Sequence, residues 1–407
     1  MKIQLLGLML SVAVTGASAS GIGGDTTRTY AIPTVSLTPK GTVALSWTEK
    51  DDRNIVHYYW AESKDQGRTF GEKKQIFESP GMSGSRLMRP KLLFKKDGTW
   101  ATVFALRGDV PAAAASTGGH EHHHGGEAPK APSGRPSDLQ IVFSLSKDQG
   151  KTWSVPAPVH ADRTPKVVRG FFDATVLANG EIGVAYLRDI DGRPHERDLR
   201  FVTSSGDTFG SETVLDPFVC DCCNISLLVD DKGILNLYYR ENQENIRDIA
   251  KMTSSDNGKT FSKPQILFAD NWKINGCPHS GPTSAAGPGG NVISWFSGTA
   301  ESPGIRLVTQ EGKRLLVIAD ASAKNMYLAA GSKSAALLWE QQGTESDQTV
   351  LAYRTVKKDG VSEAKVLGKT ANGTNASGVI AGNRLVVAYE VKNSRNKNTL
   401  AFESVEL

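Results

Sequence analysis

The sequence lacks an excess of charge of either sign. Its 407 residues include 47 Lys and Arg against 43 Asp and Glu, which gives a formal net charge of +4 at pH 7. No basic run stands out, although proteins that bind nucleic acid usually carry one. The sequence therefore does not favour nucleic acid as a partner.

Long apolar runs are absent after the first 20 residues. Residues 1–19 combine one lysine, an apolar run over residues 3–14 and the sequence A-S-A at 17–19, which is typical of a cleaved secretory signal peptide. The run is too short for a membrane anchor, and no cysteine follows the cleavage site to accept a lipid. We expect residues 20–407 to be exported, to the periplasm or the medium, with no membrane span.

Long helical periodicity is also absent, and pairs of strand-like runs around Gly or Asn repeat instead. The seven copies span residues 30–49, 89–107, 170–188, 223–240, 282–297, 326–340 and 377–391. Strand signals that alternate with turn residues predict an all-β fold, a single β-propeller of four-stranded blades over residues 20–407. The repeat count predicts seven blades.

A turn motif, S-x-D-x-G-x-T-[FW], begins at Ser63, Ser146 and Ser254, and a shortened relative begins at Ser204. We expect its Asp to cap backbone N–H groups, its Gly to supply a positive φ and its aromatic residue to pack under the loop. The motif resembles the Asp-box of sialidases and related BNR-repeat proteins. That resemblance implies six blades, whereas the repeats number seven.

One insertion, residues 109–138, interrupts the repeats and is rich in Ala, Gly and Pro. We expect a disordered surface loop. Four imidazoles stand within five residues, namely His120, His122, His123 and His124. Such a loop could wrap Cu(II), Zn(II) or Ni(II), or it could be a solvated segment that binds metal only incidentally.

The sequence has only four cysteines, which excludes a disulfide-dense scaffold, and they lie in two short segments. Cys220, Cys222 and Cys223 precede the first strand of one unit, and Cys277, followed by His279, precedes that of the next. First strands line the channel of a propeller, so both segments should reach one face. Three thiolates with Cys277 and His279 would suit a soft ion, copper as Cu(I) or zinc as Zn(II).

The cysteine segment leaves two alternatives to a metal site open. An even number of cysteines in an exported protein usually forms disulfides, here Cys220 or Cys222 to Cys277, and redox chemistry is the other alternative. Strand alternation would put Cys220 and Cys222 on one face and Cys223 on the other, unless the backbone bulges.

The resemblance to sialidases also implies a set of hydrolase residues. Sialidases hold the substrate carboxylate with three arginines, the first in an R-I-P motif, and use an Asp acid/base with a Tyr nucleophile activated by Glu. Ala31 stands where that first arginine would precede Ile32 and Pro33, which removes a bidentate contact. The remaining candidates are Asp173, Tyr239 and Glu241 for catalysis, Arg89, Arg169, Arg240 and Arg247 for substrate binding, and Arg306 as a further clamp residue.

Three functions are thus expected from the sequence. The first is binding of copper or zinc by the cysteines, with the histidine-rich loop as an accessory site. The second is a sialidase-like glycoside hydrolase that acts on acidic sugars. The third is a non-catalytic module that binds a glycan or a periplasmic protein.

The segments C-x-C-C and G-C-P-H are also similar to those of exported bacterial proteins that share the sialidase-like fold.

Overall fold

The computed structural model describes residues 22–108, 138–331, 334–343, 348–368, 371–393 and 395–407. The predicted signal peptide and the histidine-rich insertion as far as residue 137 lie outside the described residues. Within the described part, the strands form seven antiparallel sheets that follow one another along the chain, each a blade of a propeller. The seven blades agree with the repeat count, and the six implied by the resemblance were wrong.

The first three blades contain thirteen strands in chain order. Blade I comprises β1 (Thr29–Leu37), β2 (Val43–Lys50), β3 (Val56–Ser63) and β4 (Lys74–Ser79). Blade II comprises β5 (Lys91–Phe94), β6 (Trp100–Arg107), β7 (Leu139–Ser146) and β8 (Ala157–Pro158), preceded by a 3-10 turn, Arg86–Met88. Blade III comprises β9 (Arg169–Val176), β10 (Ile182–Ile190) and β11 (Arg193–Ser205), with β12 (Thr208–Phe209) and β13 (Thr213–Val219) both paired to β11.

The last four blades contain sixteen strands. Blade IV comprises β14 (Ser226–Val229), β15 (Leu235–Arg240), β16 (Ile249–Ser254) and β17 (Gln265–Phe268). Blade V comprises β18 (Thr283–Gly287), β19 (Gly290–Ser297), β20 (Gly304–Thr309) and β21 (Arg314–Ile318). Blade VI comprises β22 (Lys324–Ala330), β23 (Ala335–Gln342) and β24 (Thr349–Lys357), with β25 (Gly360–Val361) and β26 (Lys365–Val366) both paired to β24. Blade VII comprises β27 (Gly373–Ala381), β28 (Arg384–Lys392) and β29 (Asn398–Glu406).

The second strand of each blade is an apolar run because neighbouring blades cover both of its faces. All six residues of β15 are buried, and so are the first seven of β2. Apolar clusters fill the seams between blades, and one of them joins blade VII to blade I through Val386 and Trp47. Burial of this kind stabilises by about 25 cal/mol per Å² of apolar surface. A smaller cluster lies between blades IV and V, around Tyr238 and Trp295.

The ring also closes by polar contacts between its first and last blades. Thr399 Oγ1 donates to the carbonyl of Gly23 at 2.6 Å, and Val35 N donates to Ser377 Oγ at 3.1 Å. Residues near both ends of the described chain are therefore held together.

No helix among the described residues is long and apolar enough to cross a membrane.

Three S-x-D-x-G-x-T turns join the third and fourth strands of blades I, II and IV with the same hydrogen bonds. In the first, Asp65 accepts from Ser63 Oγ at 2.7 Å and from Thr69 N at 2.9 Å, and Gly67 N donates to Ser63 Oγ at 2.8 Å. Gly67 has φ +78°, and a Cβ there would lie 2.2 Å from Val386, so this turn requires glycine. These turns share one end of the ring with the first-to-second strand turns, and we call that end the turn face.

Candidate metal centre

The two cysteine segments lie at the end of the ring opposite the turn face, which we call the cysteine face. In an antiparallel blade, the connections between second and third strands and between blades all emerge at this end. Residues 220–225 connect β13 to β14, and residues 269–282 connect β17 to β18. The prediction that both segments reach one face is therefore consistent with the topology.

The two segments are joined by close backbone contact. Gly281 N donates to Asn224 Oδ1 at 2.9 Å, and Asn224 Nδ2 donates to the carbonyl of Pro282 at 3.1 Å. A Cβ on Gly281 would lie 1.8 Å from the carbonyl oxygen of Asn224. Only a residue without a side chain allows this approach, so Gly281 fixes the distance between the two cysteine segments.

Three thiols converge in the first segment. Cys220 Sγ lies 2.7 Å from Cys223 Sγ and 4.0 Å from Cys222 Sγ, and all three sulfur atoms lie within 4.8 Å of one another. Each residue is at most 4% exposed. The expected split of Cys223 to the opposite face was wrong, because β13 ends at Val219 and the chain turns instead of continuing as a strand.

A second group shares Cys222. Asp221, Cys222 and Cys277 also place one ligand atom each within 4.8 Å of one another. Cys277 is exposed, and its Sγ lies 3.6 Å from Asp221 Oδ1. All four cysteines are free thiols in the structure, so the disulfides expected from Cys220 or Cys222 to Cys277 are not formed.

His279 does not join either group of ligand atoms found among the described residues. The residue is exposed, and its carbonyl accepts from Arg86 Nη2 at 3.0 Å. His120, His122, His123 and His124 lie outside the described residues. Their predicted role as an accessory metal site stays a prediction.

Two arginines hold the cysteine segment. Arg197 Nη1 donates to the carbonyl of Asp221, and its guanidinium lies 4.8 Å from the ring centroid of Phe171, which packs on the three buried cysteines. Arg240 is buried and donates to the carbonyls of Ser280 at 2.8 Å and Phe296 at 2.8 Å. A third bond reaches the carbonyl of Arg247. Within the described residues no carboxylate lies within 4.0 Å of an Arg240 nitrogen, so its charge is available to nearby thiolates.

The thiols differ in acidity. Burial opposes ionisation of Cys220, but hydrogen bonds with Cys222 and Cys223 and the charge of Arg240 outweigh it and hold the pKa of Cys220 well below 9.0. Hydrogen bonds to Cys220 and Cys223 raise the pKa of Cys222, and burial raises that of Cys223. A hydrogen bond with Cys222 lowers the pKa of Cys277. Among the three buried thiols, only Cys220 has a lowered pKa.

The expected hydrolase residues do not meet at one site. Asp173 lines the central cavity, but it contacts Lys91 Nζ at 2.6 Å and accepts from Leu227 N at 2.8 Å. Tyr239 is buried in the apolar core between blades III and IV, where its hydroxyl donates to Asp216 at 2.7 Å and to Glu241 at 3.4 Å. Burial raises the pKa of Tyr239, and burial together with Asp216 raises that of Glu241 to about 7.

The candidate clamp arginines make structural contacts. Arg89 donates to the carbonyls of Pro33 at 2.6 Å and Asn375 at 2.7 Å. Arg169 pairs with Asp162 at 2.7 Å and Arg306 with Asp270 at 2.8 Å. Arg247 is buried and donates weakly to Asn245 at 3.5 Å, and its Nε and Nη1 find no partner among the described atoms.

The central cavity is open to solvent, and the space in it and at its mouth that no atom fills is about 700 Å³. First strands of blades II to VII contribute to its wall, which includes Asp173, Ser226, Thr283, Tyr327 and Asn375. Arg86, the first residue of the 3-10 turn, also lines it. Sequence reasoning missed Arg86, Tyr327 and Asp221, since no motif marks them.

Comparison with known proteins shows the family to which the chain belongs. The sequence profile described as a BNR repeat-like domain matches residues 132–344, just over half of the chain. The chain belongs to this family. No curated protein matches this BNR repeat-like chain.

Solved structures share the fold of this BNR repeat-like protein at low identity. A protein of unknown function from Dyadobacter fermentans is 14% identical, with a TM-score of 0.53 over 94% of this chain and 96% of the other. An ulvan lyase of polysaccharide lyase family PL25 is 13% identical, with a TM-score of 0.54 over 93% and 94% of the two chains. The intramolecular trans-sialidase of Ruminococcus gnavus is 14% identical, with a TM-score of 0.50 over 95% and 96%. At this identity the likeness establishes a sialidase-like propeller and no activity.

Proposed function

We propose that this chain is an exported propeller that binds one soft metal ion, copper as Cu(I) or alternatively zinc, through Cys220, Cys222 and Cys223. The observation that carries the proposal is the convergence of three buried sulfur atoms within 4.8 Å. Thiolates are the ligands that Cu(I) and Zn(II) prefer, and three of them in one turn match a trigonal set or part of a tetrahedral one.

The electrostatics of the cysteine face support the same ion. Three thiolates around a monovalent ion leave a net charge of −2, which is costly to bury without positive charge nearby. Arg240 provides such a charge without a carboxylate partner within 4.0 Å among the described residues. Burial lowers the pKa of Arg86, and the charge interaction of its guanidinium with Cys223 opposes that shift. The structure therefore offers compensation for an anionic metal–thiolate complex.

The surrounding contacts hold the ligands in place before an ion arrives. Arg197 holds the carbonyl of Asp221, and Asn224 and Gly281 hold the two segments together. Sites whose ligands are ordered in advance bind with less loss of conformational entropy. The histidine-rich residues 120–124 would serve as a weaker capture site in this proposal.

Thiol counting combined with metal analysis tests this function. The protein would be purified from the periplasm without an affinity tag, as wild type, as a variant lacking residues 120–124, and as Cys223→Ser. We expect about one equivalent of copper or zinc with protected thiols in the first two, and loss of the ion in the third. Ser280→Ala is a matched control on the same face, because its buried hydroxyl finds no partner among the described atoms.

Two disulfides and no metal in the wild-type protein would contradict the proposal. The hydrolase would then be the alternative, with Asp173 as its acid and release of a fluorogenic aglycone as its assay. The contacts of Asp173 with Lys91 and of Tyr239 with Asp216 argue against that arrangement.

The non-catalytic binding of an acidic glycan is a second candidate, and one observation favours it. Arg86 and Tyr327 line the cavity together with Asn224, Asn325 and Asn375. A guanidinium and a phenol among polar residues suit a carboxylated sugar. Glycan binding that survives chelation and thiol alkylation would support this candidate.

A further inference from the structure

The metal-binding proposal leaves open how an ion reaches its ligands. Cys220, Cys222 and Cys223 are at most 4% exposed, so they present little surface to a metal complex in solution. Cys277 is exposed and stands beside this buried set, in contact with Asp221. A buried metal site needs a route for its ion, and these two residues lie on the solvent side of the cluster.

We propose that Asp221, Cys222 and Cys277 form an outer transfer site through which the ion passes to and from Cys220, Cys222 and Cys223. This inference rests on the proposed function. Its basis is that the two groups of ligand atoms share Cys222, and each group is compact to within 4.8 Å. An ion can therefore keep its bond to Cys222 while its other ligands change.

The exchange balances in protons and leaves the oxidation state unchanged. Cys277 and Cys222 displace the ligands of an incoming Cu(I) complex, and each releases its thiol proton to solvent if it is protonated. Cys220 and Cys223 then bind the ion, with release of any thiol proton, while the Cu–Sγ bond to Cys277 breaks and Cys277 takes up a proton. The ion moves by ligand exchange alone, so no oxidant or reductant is required.

The local structure fits two stages of different character. The inner group lies beside buried Arg240 and under Phe171, whereas the outer group combines an exposed thiol with a half-buried carboxylate. A carboxylate is a poor ligand for Cu(I) and a thiolate a strong one. The outer group is therefore suited to brief occupation and the inner group to retention. The partner is a donor that presents Cu(I) through exchangeable nitrogen or sulfur ligands.

The geometry of the outer group is fixed from both sides. Arg197 Nη1 donates to the carbonyl of Asp221, and Gly281, four residues after Cys277, contacts Asn224. The two segments that carry the outer group belong to different blades, because residues 220–225 precede blade IV and residues 269–282 precede blade V. The transfer site therefore spans the seam between the two blades.

Stopped-flow transfer of copper from the Cu(I)–bicinchoninate complex tests the proposal with the full chain, fully reduced and under anaerobic conditions. Loss of the complex's colour reports the loading rate, and the end point reports the number of ions bound. We expect Cys277→Ser to load at least about 10-fold more slowly than wild type while still binding one ion. Asp221→Asn should slow loading by a smaller factor.

Two further variants make the interpretation specific. Cys223→Ser should keep rapid loading but release its copper to excess chelator at least about 10-fold faster, because the outer group remains while the inner one is incomplete. Asn275→Ala changes an exposed residue of the same segment and should behave as wild type. Thermal unfolding of every variant establishes that the fold is retained.

The outcomes separate the two proposals. Wild-type loading rates in Cys277→Ser would overturn the transfer site and leave the inner metal site intact. A fall from two bound ions to one in Cys277→Ser would also overturn it, because the outer group would then be an independent site. If reduced wild-type protein binds no copper and no zinc, the proposed function itself fails.

Discussion

Two sets of acidic side chains, one at each end of the ring, have pKa values that are shifted in opposite directions. On the turn face, hydrogen bonds from Thr69 and Ser63 outweigh burial and lower the pKa of Asp65 to about 2, and similar bonds lower that of Asp256 to about 2. On the cysteine face, burial raises the pKa of Glu241 to about 7 and raises those of Glu340 and Glu390.

This difference indicates how the molecule divides its tasks. Ionised carboxylates on the turn face stabilise local turns that repeat around the ring. Buried carboxyls on the cysteine face oppose folding when ionised. The same region holds Arg240, whose hydrogen bonds within the described part of the chain go to carbonyls, and a cluster of thiols. Polar groups that cost stability concentrate where proteins bind ligands or react. The cysteine face therefore has the properties of a functional surface.

Among the substitutions that test the difference between the two faces, Gly281→Ala should have the largest effect on stability. Its Cβ would lie 1.8 Å from the carbonyl oxygen of Asn224, so the two cysteine segments must separate. We expect a loss of about 3 kcal/mol in the free energy of unfolding, together with weaker metal retention. Urea denaturation and metal analysis measure the two effects.

Gly276→Ala is the matched control, because its nearest neighbour would be Ile274 at 4.0 Å. If Gly281→Ala retains both its stability and its metal, the two segments are not held by the backbone contact that the structure describes.

Glu241→Gln should change how stability depends on pH. A folded pKa of about 7 against 4.5 unfolded means that the folded state binds more protons between these values, so stability falls as pH rises through this window. The amide removes this titration and can still donate to Asp216. We expect stabilisation by about 2 kcal/mol at pH 8, after solvent screening, and little change at pH 4.

Urea denaturation at pH 4, 6 and 8 measures the effect of Glu241→Gln, with the exposed Glu301→Gln as control. Parallel pH profiles for Glu241→Gln and wild type would show that this carboxyl is not raised in pKa.

Asp65→Ala should give the smallest effect, and one of opposite pH dependence. The lowered pKa of Asp65 contributes stability above 3.8 that is lost as the pH falls towards 2. We expect a loss of about 1 kcal/mol at pH 7, which disappears below pH 2, and no change in metal retention. Thermal unfolding at pH 7 and pH 2 measures it.

Asp359→Ala, at an exposed turn, is the control for this substitution. Metal loss in Asp65→Ala at unchanged stability would show that the two faces are coupled, and the division between them would then be wrong.

The blades could be predicted from the sequence because each unit encodes its own strands and turns. All seven predicted units coincide with the first two strands of a blade, from β1 and β2 to β27 and β28. The blade number implied by resemblance was wrong, because blades are a repeating element whose number varies while the turn motif stays the same. The repeats of the chain itself were the better guide.

The site was only partly predictable. The meeting of the two cysteine segments followed from their positions before adjacent first strands. The convergence of Cys223 with Cys220 did not, because it depends on where β13 ends. The bonds of Arg89 and Arg240 to backbone carbonyls involve partners far away in the sequence. No local pattern distinguishes such an arginine from one that binds substrate.

The three bonds of Arg240 have a consequence for motion. Its guanidinium reaches the carbonyls of Ser280 and Arg247 in two connections of the cysteine face, and that of Phe296 near the end of β19. None of these three segments can shift alone without breaking a charge-assisted hydrogen bond in a buried setting. We expect them to fluctuate as one rigid unit, so that slow amide hydrogen exchange in all three would be lost together in Arg240→Lys.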